Sequence, residues 1–253
     1  MSLPAFGYQL TRETWGIDMT ILVAVKKNGK VFLGADRMTT FGSEYSTDLV
    51  NNSKLIKLKH AYLATSGYTL LDNVIEHLYH SKHKMMEATF ANRAEVFQFF
   101  LDFYAELKKN YTLVDMGKET YAGIYNVFLL VTPTSIYGVA SNLSVSEYPL
   151  YAAKGSGSDH AVGCLYGLYD LIDDGKELTR VAVEAACHFS IYCKEPIDVV
   201  EVKSSDFGKL SARSHKDHGK NLTTHKTRTG TSKLKVGEKK TLPSGSKASG
   251  KKK

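Results

Sequence analysis

Thr20 is preceded by Met19 and opens the run Thr20-Ile21-Leu22-Val23-Ala24-Val25. At a mature N-terminus a threonine carries a hydroxyl nucleophile and a free amine on one residue. That pair can do acyl chemistry without a separate histidine, because the amine serves as the base. An internal threonine lacks the amine and is inert by this route. At a strand start it is an ordinary residue.

Other polar groupings point less far. Gly155-Ser156-Gly157 lacks the third glycine of a dinucleotide fingerprint, since position 160 is His160, and no βαβ pattern surrounds it. His77, His80 and His83 recur at three-residue spacing, with no His-Glu-x-x-His and no carboxylate at a ligand offset. They read as a solvated helix face, so no metal is expected. Cys164, Cys187 and Cys193 are odd in number and form no C-x-x-C. They read as reduced thiols in a cytoplasmic protein.

The elements that must position these residues follow from periodicity. Residues 21–27 and 31–36 are β-rich and flank Asn28-Gly29, a hairpin signal. A second strand pair is predicted at 54–58 and 61–66. Helical spacing follows at 70–83, with Leu70, Leu71, Val74, Ile75 and Leu78 on one side, and at 92–109, with Asn92 as N-cap. Val96, Phe99, Phe100, Phe103 and Leu107 form the apolar face of the second helix. Strands are predicted at 125–131, 135–140 and 147–152, then helices at 158–173, with Ser158 as N-cap, and at 178–192. A strand at 197–202 closes the series. Helices grouped in pairs between groups of strands argue for an α+β fold and against a doubly wound one. Two packed sheets with a helical layer outside each would fit.

The chain has 253 residues and a net charge of +7. Residues 209–253 hold 14 Lys/Arg and 2 Asp/Glu, or +12, which leaves 19 against 24, or −5, for residues 1–208. The basic stretch is poor in aromatics and reads as a disordered tail. Such a tail can touch nucleic acid electrostatically but lacks stacking residues. No apolar run approaches the ~18 residues of a membrane span, and residues 1–19 lack a signal-peptide core.

Thr20-Ile-Leu-Val-Ala-Val, Asn28-Gly29, Gly34-Ala-Asp36-Arg37-Met-Thr-Thr40, Lys54-Leu-Ile-Lys-Leu58, Ser66-Gly67 and Gly155-Ser156-Gly157 occur in order. The series, over about residues 20–203, resembles the proteasome β-subunit family of N-terminal nucleophile hydrolases. It is most similar to the bacterial branch of HslV and bacterial proteasome homologues. The resemblance implies a four-layer αββα sandwich over 20–208, preceded by an extension or propeptide, 1–19. It implies a threonine endopeptidase subunit with Thr20 as nucleophile and Lys54 as the active-site lysine, Lys57 being the alternative. Asp36 would be the acid that pairs with the lysine. The Ser66-Gly67 turn would supply the backbone N–H that faces the oxyanion, and Ser156 would bond the terminal amine or a relay water. Ser190 and Cys193 stand where many family members carry an aspartate and a serine.

The resemblance further implies stacked rings of identical subunits, an AAA+ unfoldase partner and unfolded polypeptide substrates. No cofactor is expected for catalysis, ATP entering only through the unfoldase. Ala64 is expected near the pocket for a small or apolar substrate side chain. Thr20 would be exposed either by initiation at Met19 with methionine trimming or by self-cleavage. The alternatives are a catalytically silent ring or scaffold subunit, should 1–19 be retained, and a self-processing amidohydrolase of small amides.

Overall fold

The structure is a computed structural model that describes residues 19–41, 43–50, 53–111 and 124–207. Apart from Met19, the N-terminal extension lies outside the described residues, as does the basic tail. Two antiparallel sheets form the centre. The first has the order β10-β1-β2-β11, built from β1 (Leu22–Lys27), β2 (Lys30–Asp36), β10 (Tyr151–Lys154) and β11 (Ile197–Val202). The second has the order β5-β6-β7-β8-β9, from β5 (Leu55–Lys57), β6 (Tyr62–Gly67), β7 (Asn126–Val131), β8 (Ile136–Val139) and β9 (Val145–Tyr148). A small hairpin of β3 (Thr39–Phe41) and β4 (Glu44–Ser46) projects from the end of β2.

Strand alternation explains the layers. Side chains two apart share a face, so Leu22, Ala24, Leu33 and Ala35 meet Leu55, Ala64, Leu129 and Val131 between the sheets. The odd members of β1, Val23 and Val25, point outward and pack with Leu165, Leu178 and Val183. Those residues lie on α3 (Ser158–Leu168) and α4 (Gly175–Phe189). On the far side Leu63, Phe128 and Leu130 meet α1 (Leu70–His80) and α2 (Arg93–Glu106) through Leu71, Ile75, Phe99 and Phe100. The result is the expected α+β sandwich of four layers, αββα. Asn28 and Gly29 both take positive φ, 51° and 73°, as the β1–β2 turn requires. Asn92 caps α2 by accepting from the Glu95 N–H at 3.1 Å.

Three expectations are corrected. The predicted strand 147–152 is two strands, β9 and β10, in different sheets, because the chain crosses the sandwich at Pro149-Leu150. Ser158 is the first residue of α3 rather than its cap; Gly157 holds that position without a side-chain bond. The last helix begins at Gly175, three residues earlier than 178, because Asp174 caps it by accepting from the Lys176 N–H at 2.9 Å.

Candidate active site

Strand register brings distant residues to one end of the sandwich. Leu22 stands opposite Ala35 on β2 and opposite Lys154 on β10. Two residues back along β1, Thr20 therefore lies between the end of β2, where Asp36 sits, and the turn after β10 that carries Ser156. The second sheet contributes Lys54, just before β5.

These side chains form a connected, buried group. Asp36 is 0 % exposed, Thr20 4 % and Lys54 8 %. Lys54 Nζ donates to Asp36 Oδ1 at 2.6 Å. Asp36 also accepts from the backbone N–H groups of Ile21 at 3.0 Å, Met38 at 3.2 Å and Lys194 at 3.2 Å. A buried carboxylate is expensive unless paired and bonded; Asp36 is both. Ser156 Oγ accepts from the Thr20 N–H at 3.3 Å. Of the two candidate lysines, Lys54 is the one that meets Asp36; Lys57 pairs with Tyr62 within β5–β6.

Glycine shapes the other wall. Gly155 has φ +95°, and a Cβ there would lie 2.3 Å from the Thr20 carbonyl oxygen. The backbone of the Gly155-Ser156-Gly157 turn thus approaches Thr20 more closely than a side chain permits. Gly67 has φ +133°, and its Cβ would strike the Tyr125 carbonyl at 2.4 Å. Ser66 Oγ is buried and, among the described residues, has no hydrogen-bond partner. It points between the sheets toward Gly155, 3.1 Å from the place a Gly155 Cβ would take.

Thr20 is joined to Met19 here. Its hydroxyl donates to the Met19 carbonyl oxygen at 2.6 Å, and Lys54 Nζ donates to the same oxygen at 3.3 Å. In this form the nitrogen of Thr20 is an amide, and both its hydroxyl and the lysine are engaged by the preceding peptide.

Cys193 packs beneath the Gly155-Ser156-Gly157 turn, its sulfur 2.7 Å from where a Gly157 Cβ would lie. Burial, with the Asp36 charge next in effect, pushes its thiol up to about 11. Burial pushes the Cys187 thiol up as well. Neither is poised as a nucleophile, since the thiolate is the reactive form. Ser190 ends α4, and its hydroxyl accepts from the Tyr192 N–H at 3.2 Å.

Ala64 does not line a pocket near Thr20. It is fully buried among Leu22, Ala24 and Leu55 between the sheets. The strand alternation of β6 turns Thr65, not Ala64, toward the helices. The three histidines on and after α1 have separate neighbours: Tyr111 for His77, Glu76 for His80 and Glu106 for His83.

No family model matches the sequence, and no curated protein does. Solved structures do. BPH of Thiobacillus denitrificans, in complex with epoxomicin, superposes with a TM-score of 0.65 at 23 % identity over 72 % of this chain and 98 % of that one. A second structure of Thiobacillus denitrificans BPH gives 0.66 at 24 % over 72 % and 97 %. Eukaryotic HslV from Trypanosoma brucei gives 0.55 at 18 % over 72 % and 99 %. The chain has the proteasome-type N-terminal nucleophile hydrolase fold. That fold explains why four segments remote in sequence converge on Thr20.

Sequence reasoning missed two features of this site. The Lys194 N–H that reaches Asp36 is a backbone group and has no residue signature. The Thr65–Asp72 hydrogen bond, 2.6 Å, joins β6 to α1. Its signal was an acid beside Leu71, on the flank of the helix face that the periodicity had already marked as buried.

Proposed function

We propose that this chain is a threonine endopeptidase subunit of a self-compartmentalising, proteasome-like protease. The observation that carries the reading is the group of buried Thr20, Lys54 and Asp36 with the half-buried Ser156, Lys54 being held at 2.6 Å by Asp36. Once Thr20 is the first residue, its amine accepts the hydroxyl proton and Thr20 Oγ attacks the substrate carbonyl carbon. The adjacent Lys54 cation lowers the pKa of both groups and favours their reactive forms. The Gly67 N–H stabilises the oxyanion, a contribution of about 3 kcal/mol for one such donor. The proton passes to the leaving amine as the C–N bond breaks and an ester to Thr20 remains. Water, activated by the same amine, hydrolyses that ester. Ser156 orients the amine throughout.

With Met19 attached, the Thr20 nitrogen is an amide that cannot serve as the base and the hydroxyl is tied to the preceding carbonyl, so this form is latent toward substrate. Removal of Met19, by trimming after initiation there or by self-cleavage of 1–19, converts it. A subunit that keeps the extension is silent and serves only as a ring component. In this reading the subunits stack as rings in the cytoplasm, and an AAA+ unfoldase feeds unfolded polypeptides to the enclosed sites; the shared fold with HslV and BPH supports the ring arrangement.

Intact-mass and N-terminal sequencing of the native protein, with a peptidase assay, test this. The active fraction is expected to begin at Thr20, and Thr20→Ala to reduce cleavage to background. Activity in a species that begins at Met1, or in Thr20→Ala, overturns the assignment.

A further inference from the structure

β6 carries Thr65 two residues before Gly67 and on the same strand face, about 7 Å away along the strand. Thr65 Oγ1 donates to Asp72 Oδ1 at 2.6 Å. Asp72 lies in the first turn of α1 and is half-buried. Among the described residues this hydroxyl is the only hydrogen-bond donor to its carboxylate. Lys54 acts on Asp72 only through space, and its ammonium is already held at 2.6 Å by Asp36. Glu76, one helical turn on, adds like charge and works against ionisation.

We infer that Asp72, with Thr65, selects a lysine or arginine side chain on the substrate residue whose carbonyl Thr20 attacks. The inference rests on the peptidase reading. An oxyanion at the Gly67 N–H puts the substrate α-carbon beside the 65–67 segment. A side chain leaving it along β6 toward α1 reaches Thr65 first and Asp72 behind it. A long aliphatic stem suits that path, with the cation at its end. Among the described residues the carboxylate has no ion-pair partner, and burial pushes it up to about 6, so the free site holds a charge it stabilises poorly. A basic side chain supplies the missing partner, and its charge-assisted bond is stronger than the hydroxyl's. If Asp72 served only to tie α1 to β6, asparagine would accept the Thr65 bond equally well without the electrostatic penalty.

The test uses the full chain after it has exposed Thr20. Fluorogenic tripeptide amides that differ only in the last residue, arginine, lysine, leucine or alanine, are compared by kcat/KM. The basic peptides are expected to exceed leucine by about 10-fold or more, chiefly through KM. Asp72→Asn is expected to reduce the arginine-to-leucine ratio about 10-fold, and Asp72→Glu to keep most of it. A wild-type preference for leucine or alanine overturns the inference, as does an unchanged ratio in a folded Asp72→Asn. The peptidase reading then still stands. If none of the four peptides is cut, that reading fails and this one with it.

Discussion

Asp36 is the residue on which the site's order depends most. Its two oxygens accept four hydrogen bonds, from Ile21, Met38, Lys194 and Lys54, which belong to four segments of the chain. Asp36→Asn would present an amide N–H₂ to one pair of these donors and leave Lys54 without its counter-charge. A destabilisation of about 3 kcal/mol is expected, with loss of peptidase activity, because breaking a buried pair strands the other charge. Lys54→Ala leaves Asp36 its three backbone donors. It should therefore cost less stability than Asp36→Asn while costing as much activity; urea unfolding beside a peptide assay separates the two. Asp72 behaves in the opposite sense. Its carboxyl is raised from 3.8 to about 6, so the folded state binds the proton more tightly than the unfolded chain. Stability from this group is therefore full below about pH 4 and falls as pH rises toward 6, remaining lower above it. Asp72→Asn should stabilise the protein by about 1–3 kcal/mol at pH 7.5 and by nearly nothing at pH 4. Unfolding midpoints at the two pH values decide it; a variant less stable at pH 7.5 sinks the claim.

Elements, rather than residues, set the distances in the site, and the layer contacts leave little slack. Gly34 on β2 faces α4, and a Cβ there would lie 2.8 Å from Thr179 Cγ2 and 3.2 Å from Val183 Cγ2. Gly34→Ala should push α4 off the first sheet, at a cost of about 1–3 kcal/mol for overpacking. Thermal unfolding measures the loss, and an unchanged midpoint would show that the layer yields freely. Much of this layering was legible beforehand. Asn28-Gly29 encodes its turn chemically, and the apolar spacing of Leu71, Val74, Ile75 and Leu78 marks one face of α1. The pairing of Asp36 with Lys54 was legible through ordered motifs and not through periodicity. What escaped prediction lacks a local signal. The strands β3 and β4 have three residues each, too few for an alternation to show. The run at 147–152 looks continuous because both β9 and β10 are β-rich, and only the two-sheet arrangement decides that they separate. Ser158 is a good capping residue by type, yet the φ of +95° at Gly155 turns the chain so that α3 starts one residue earlier than that reading allows.

A single copy of the chain leaves its outer helical layer unfinished. Val162 and Tyr166, one turn apart on α3, are 41 % and 83 % exposed, while Phe189 and Ile191 at the end of α4 are 68 % and 83 % exposed. His160 in the first turn of α3 lies against Phe189, ring centroids 5.7 Å apart, so the two groups share one side of the molecule. Nothing within 4 Å would meet a Cβ at Gly163 or Gly167, so that side of α3 is open to a close-packed neighbour. Exposed apolar clusters of this kind mark association surfaces. If rings form as proposed, this layer should be buried between copies of the chain. The native protein is then expected to sediment as a closed multimer of the subunit. The double substitution Tyr166→Asp and Ile191→Asp should shift it to a smaller species with unchanged secondary structure, because two carboxylates would have to lose water at the contact. Sedimentation velocity with circular dichroism reads both. Wild-type protein that remains a monomer at micromolar concentration would remove the compartment from the proposed function, and Thr20 would then have to be selective without enclosure.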